Sequence, residues 1–290
     1  MWYRYALENI KDLINSKKPS LFFKDKTLEN IFMAVFNLKG VPQNPLHHPE
    51  GDAFVHTLQT MDSAATIANR ENLSIEDRQI LILSALLHDI GKSVTTTVIL
   101  SDGRQIPYSQ YNEKIDGPGE IKSYGHADAL INEVENICDQ FKLDQNTKNK
   151  IKLLIQLHMR PMELINNLDN LSNQALNRFK RVLIDNGLDP NILMYLNEAD
   201  TLGRNKEYSS DNRLLFDKIR EIEVPKQESN FISGNIIKNM IDNIFIDKKY
   251  DLSLIGELVK ISNQMHKEGY SFDEIIQKIE DLIKDKYNQN

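Results

Sequence analysis

His88-Asp89 closes the apolar run at 80–87 and is followed at once by Ile90-Gly91-Lys92. Imidazole nitrogen and carboxylate oxygen are both metal donors. A carboxylate at the end of a segment that reads as buried core is costly unless a cation or strong hydrogen bonds meet it. Further donors lie at wide spacing on other expected helices: His56, His126, His158 and Asp200. His158 follows Leu154 and Ile151 one and two turns back, Asp200 follows Leu196 and Leu193, and Asp89 follows Ala85 and Ile82. Two carboxylates and a histidine on apolar faces need a shared partner, and a divalent metal supplies one. The donor set suits one or two ions drawn from Mn, Fe, Ni, Mg, Co or Zn, without choosing among them. The bland reading, in which the same side chains only hydrogen-bond one another inside a helical domain, predicts no bound metal.

The elements that must position these residues are mostly helical by periodicity. Helices are expected at 5–15 and 27–38, the second stopped by Gly40. A Pro-rich approach, 41–51, follows. It contains His47 and His48, which read as structural. Asp52 can cap a helix to about Arg70, carrying His56 on a polar stripe with Gln59, Thr60 and Ser63. Ser74, with Asp77 three residues on, can cap the helix that ends at His88-Asp89. Gly91 fits the left-handed residue that often follows a helix. Residues 94–100 are β-branched, and Ser101-Asp102-Gly103 signals a turn, so a short hairpin is expected near 94–106. Residues 108–120 read as a loop. Helices resume at 126–141, 147–159, 173–186 and 191–202. Residues 205–230 are polar and carry a weaker pattern. Three C-terminal helices follow at 234–244, 252–268 and 271–286, with His266 on a polar, exposed face. The expected fold class is all-α with one short β excursion and extra C-terminal helices. Its organisation is an N-terminal helical segment at 1–45, a metal-binding domain at 46–205 and a C-terminal helical region at 206–290.

Composition narrows the function. The chain has 290 residues, 40% of them hydrophobic, and a formal charge of −7. An acidic chain is poorly suited to gripping nucleic acid through bulk charge. The short runs Lys17-Lys18 and Lys248-Lys249 do not make an RNA track, and Tyr3, Tyr5, Phe22 and Phe23 read as core. The single cysteine, Cys138, excludes an internal disulfide and a cysteine-based zinc cluster, and points to a reducing, cytoplasmic compartment. No signal peptide or apolar run of bilayer length is visible.

The pattern His56…His88-Asp89…Asp200 resembles the HD superfamily of metal-dependent phosphohydrolases, and His126 with His158 resembles its six-ligand form. Gly40-Val-Pro-Gln-Asn-Pro-Leu-His-His-Pro-Glu-Gly-Asp52, His56-Thr57, Ala85-Leu-Leu-His-Asp-Ile-Gly-Lys92, Tyr124-Gly-His126, His158-Met-Arg-Pro161 and Ala199-Asp-Thr-Leu-Gly-Arg204 are similar to the HD region of bacterial CCA-adding tRNA nucleotidyltransferases. The resemblance implies that Asp89 bridges two metals, with His56, His88 and Asp200 around one and His126 and His158 around the other. It implies a metal-activated water attacking a small phosphoester, with a nucleotide the expected substrate. Lys92 is placed to reach a phosphate oxygen and Asp89 to hold the reacting centre, while Arg160 and Arg204 are candidate phosphate binders and Thr95-Thr96-Thr97 a candidate contact. The residues before the HD motifs carry no Gly-rich loop or paired acidic ligands of a nucleotidyltransferase head, so CCA addition by this chain alone is not expected. Residues 105–120 read as an insertion near the site. The alternative is an accessory HD module serving a separate tRNA nucleotidyltransferase. Oligomeric state is left open.

Overall fold

The computed structural model describes residues 11–24, 28–223, 232, 234–244 and 250–289. The chain divides into two compact units, Met1–Val224 and Pro225–Asn290. The fold class is all-α with a small sheet. The helices of the first unit are α1 (Met33–Phe36), α2 (Ala53–Arg70), α3 (Ile75–Leu87), α4 (Lys92–Thr95), α5 (Glu113–Asp116), α6 (His126–Ala129), α7 (Ile131–Gln140), α8 (Gln145–Leu157), α9 (Arg160–Ile165), α10 (Asn173–Asp185), α11 (Pro190–Gly203) and α12 (Ser210–Glu221). Among the described residues, no helix is long and apolar enough to cross a membrane.

The core of this unit is a stack of α2, α3, α8 and α11, with α2 against α11 as its most extensive contact. Residues 80–87 are buried all round because α3 is enclosed by α2, α8 and α11. Local chemistry sets the ends of these helices. Asp52 Oδ1 accepts from the backbone N–H of Phe54 at 2.9 Å and of Val55 at 3.1 Å, capping α2 as expected. Ser74 Oγ accepts from Asp77 N–H at 3.1 Å and donates to Asp77 Oδ2 at 2.8 Å. At the far end of α2, the Arg70 guanidinium forks onto both Glu198 oxygens at 2.7 and 2.8 Å, tying α2 to α11.

The β excursion holds one strand more than expected. β1 (Thr97–Leu100) pairs antiparallel with β2 (Gln105–Pro107) across the Ser101–Gly103 turn, and with β3 (Gly119–Lys122) on its other edge. Gly119 opens β3 and sits so tightly on β1 that an added Cβ would lie 2.4 Å from Val98 Cγ1. The segment 108–120, read as loop, therefore delivers a strand whose pairing depends on a partner distant in sequence.

Other boundaries also moved. Residues 11–15 are helical; the start of the helix expected at 5–15, with Tyr3 and Tyr5, lies outside the described residues. The helix expected at 27–38 is reduced to α1. Phe32 leaves helical angles (φ −112°, ψ 39°) and packs its ring 5.5 Å from Phe23 and 5.6 Å from Phe141, so tertiary packing overrides the local pattern. Phe23 is buried, as expected, and Phe22 is partly buried against the same core. The helix expected at 126–141 breaks at Leu130 into α6 and α7. In the polar stretch after 205, α12 forms and packs on α9 and α11, so residues up to Val224 belong to the first unit.

The second unit is three helices, α13 (Gly234–Ile244), α14 (Ser253–Lys267) and α15 (Phe272–Gln289), in mutual contact. Their core is Ile237 and Ile241, Leu254 and Leu258, and Ile275, Ile279 and Ile283, each set spaced one turn apart. Lys248-Lys249 lies outside the described residues.

Gly91 is not left-handed: its φ is −63°. Glycine is needed there for space, since a Cβ would fall 2.0 Å from the carbonyl oxygen of His126. That approach locks α6 against α4, and with it one of the candidate ligands. Gly91→Ala is expected to cost about 1–3 kcal/mol from overpacking. It should also weaken metal binding by displacing His126. Chemical denaturation and a metal titration of the variant measure the two effects.

Candidate metal centre

The six candidate ligands all sit at or within a turn of a helix end. His56 lies one turn into α2. His88 is the residue at the C-terminal end of α3, and Asp89 follows it in the turn toward α4. His126 opens α6, His158 caps the end of α8, and Asp200 lies in the last turn of α11. The fold brings all six together. His56, His88, Asp89, His158 and Asp200 are buried, and the His126 side chain is 10% exposed.

Asp89 stands between two donor groups. Its Oδ2 lies 3.2 Å from His88 Nε2 and 3.6 Å from His56 Nε2, while its Oδ1 lies 3.3 Å from His126 Nε2 and 3.9 Å from His158 Nε2. Asp200 Oδ1 completes the first group, 2.9 Å from His56 Nε2 and 3.7 Å from His88 Nε2. The sets His56–His88–Asp200 and Asp89–His126–His158 each converge within 4.8 Å.

The ring orientations fit a cation. His88 Nδ1 lies 2.9 Å from Ala85 O, His126 Nδ1 2.7 Å from Ser123 O and His158 Nδ1 2.6 Å from Ile155 O. A carbonyl only accepts, so each Nδ1 carries a proton and each ring turns its Nε2 inward, with a lone pair there on His126 and His158, whose protonation burial disfavours. His126 Nε2 and His158 Nε2 then face each other at 3.1 Å, lone pair to lone pair. Among the described residues, His88 Nε2 and both Asp89 oxygens are buried without an aligned hydrogen-bond partner. A divalent ion relieves all of these at once.

Charges around the centre shift its groups strongly. Burial alone opposes ionisation of Asp89, but His88, Lys92 and His126 hold its carboxyl well below the usual range. Burial likewise opposes ionisation of Asp200, and Arg204, His56 and His88 outweigh it. Burial would lower His88, but Asp89 and Asp200 push it up to about 9. His158, buried and beside His88 and His126, is lowered to about 3, and burial lowers His126 as well.

The candidate phosphate binders separate. Lys92 is buried, with Nζ 2.7 Å from Asp89 Oδ2 and donating to Gln43 Oε1 at 2.7 Å. Arg204 is clamped on Asp200 through Nη2. Arg160 is not drawn in: it is exposed and pairs with Glu163 at 2.5 Å, because α9 turns its side chain outward after His158. Thr95 and Thr96 spend their hydroxyls on the carbonyls of Gly91 and Lys92. Sequence reasoning passed over three neighbours in the Pro-rich approach. Glu50 Oε1 lies 2.9 Å from His56 Nδ1 and 2.8 Å from His48 Nδ1, and Gln43 Nε2 donates to it at 3.3 Å. His48, read as structural, packs its ring edge-on to His56 at 4.8 Å. All three lie in the stretch 40–52 that carries the resemblance, but no role was assigned to Glu50 or Gln43 there.

Residues 53–191 match the HD domain family. This segment is an HD domain. The match spans five of the six clustered ligands, and Asp200 lies just beyond it. The HD region is also similar to curated relatives named Multifunctional CCA protein. That of Haemophilus influenzae (strain PittGG) is 29% identical over 159 residues, covering 53% of this chain and 33% of the relative. Those of Halorhodospira halophila and Methylococcus capsulatus are 30% identical over 140 residues and 28% over 198, covering 47% and 64% of this chain and 27% and 38% of the relatives. The chain thus spans about a third of the length of the curated relatives it matches.

The raised His88 sets the sign of two pH effects. A metal must displace its proton, so affinity should rise roughly tenfold per pH unit up to about 9 while one proton is released. In the metal-free protein, the stability His88 contributes is fully present below its unfolded value of 6.5 and is lost as pH rises through about 9. Mn(II) calorimetry in buffers of different ionisation enthalpy, and unfolding curves at pH 6, 7.5 and 9, test both.

Proposed function

We propose that this HD domain is a metal-dependent phosphoester hydrolase, acting on a nucleotide or another small phosphorylated substrate in the cytoplasm. The observation that carries this reading is the convergence of His56, His88, Asp89, His126, His158 and Asp200, with three rings anchored so that Nε2 faces the centre. One or two divalent ions would be held by the two donor sets, Asp89 shared between them. A bound cation supplies a Lewis acid and a water whose proton is lost near neutral pH. Asp89 and Asp200 hold negative charge beside the reacting centre. Lys92, buried, and Arg204, partly buried, are cations paired with Asp89 and Asp200 and would receive phosphate oxygens as charge builds on them. Arg160, on the surface, is left out of this assignment.

A second reading draws on the relatives' name: the domain serves a separate tRNA nucleotidyltransferase and turns over little. The net charge of −7 favours the small-substrate reading.

The purified protein is expected to contain divalent metal and to hydrolyse a generic phosphoester such as bis-p-nitrophenyl phosphate. Asp89→Ala and the milder Asp89→Asn should each lose that activity by roughly 10²-fold or more while keeping the circular dichroism of the folded protein. Wild-type turnover in Asp89→Asn, or metal-loaded protein silent across a broad phosphoester panel while capturing tRNA, would overturn the hydrolase reading.

A further inference from the structure

The four histidines are not anchored alike. His88 and His158 stand at helix C-termini, where last-turn carbonyls have no intrahelical donor and can take an Nδ1–H. His126 uses the carbonyl of Ser123, just ahead of its own helix. His56 has no such option. It sits in the first turn of α2, where the carbonyls point up the helix and are consumed by it, its own N–H bonding Asp52 O at 3.0 Å. Among the described residues, no atom meets His56 Nδ1 in full hydrogen-bond alignment, and the acceptor within reach is Glu50 Oε1 at 2.9 Å.

Glu50 is unusual in its own right. Its side chain is 1% exposed, and with His48 it forms a third converging group around His56, apart from the sets at Asp89 and Asp200. Burying a carboxylate demands compensation. Oε1 collects His48, His56 and Gln43, while Oε2 is buried with no hydrogen-bond partner among the described residues. Gln43 passes the anchor on, because its Oε1 accepts from Lys92, whose Nζ also meets Asp89. The turn at 43–51 thus touches the centre twice, once at His56 and once at Lys92.

We propose that Glu50 is a positioning residue that holds the His56 ring by its Nδ1, with Nε2 turned toward Asp200 and the metal centre. A carboxylate on Nδ1–H fixes the ring and makes the opposite nitrogen a stronger donor. The dependence is confined to the donor set His56–His88–Asp200. This inference rests on the metal-centre reading, and its test uses metal affinity rather than turnover.

The experiment is Mn(II) titration of the full chain in a double-mutant cycle. Glu50→Ala is expected to weaken binding by roughly 10- to 100-fold. Glu50→Gln, which keeps an acceptor oxygen, should recover part of that loss. In a His56→Ala background, Glu50→Ala should add nothing further, whereas in a His126→Ala background its effect should persist. Unfolding curves of each metal-free variant show that it is folded, and Glu50→Gln carries the test if Glu50→Ala is not. Wild-type affinity in Glu50→Ala, or an equal further loss in the His56→Ala background, would overturn the assignment. Wild-type protein that binds no Mn(II), Zn(II) or Fe(II) would instead overturn the metal-centre reading beneath it.

Discussion

A buried carboxylate cannot be left alone. Asp89 is 1% exposed, at the end of a fully enclosed helix, and its free energy depends on what surrounds it. Histidines come in from α2, α6, α8 and the end of α3, Lys92 from the next turn, and Asp200 stands behind them from α11. Each helix of the core stack contributes to one charge problem. The packing of α2 against α11 and the Arg70–Glu198 fork hold the two ends of the first donor set in register. The approach of His126 to Gly91 does the same for the second.

The centre is also arranged to be satisfied by something besides protein. Opposing Nε2 lone pairs at 3.1 Å and a carboxylate with two unaligned oxygens are poor internal hydrogen bonding. A purely structural polar network would have closed these pairs, since buried polar groups are ordinarily partnered. The same atoms make good sense as ligands. Backbone carbonyls anchor three rings without adding charge, which leaves the acidic groups available to a cation.

Much of this was legible in the sequence because metal ligands must be of few chemical types and must appear where apolar periodicity forbids them. His88-Asp89 after eight apolar residues, and His158 and Asp200 on apolar faces, announce themselves for that reason. Helix caps at Asp52 and Ser74 were legible because they are local. Glu50 and Gln43 were not, since a carboxylate and an amide in a Pro-rich turn look solvated until the turn folds back onto α2. Arg160 went the other way: its neighbour His158 joins the buried cluster, but one further step around the chain points the side chain to solvent.

The sequence by itself determined the helical class, the order of the ligands and the chemistry they share, because periodicity and side-chain type are properties of short stretches. The tertiary structure decided the rest. It brought donors up to 144 positions apart into three converging groups, added β3 to the sheet, and required Gly91 for space rather than for a left-handed turn. It also showed which polar neighbours orient the ligands. Those outcomes depend on which distant backbone lies against which side chain, and only close packing of the whole unit fixes that.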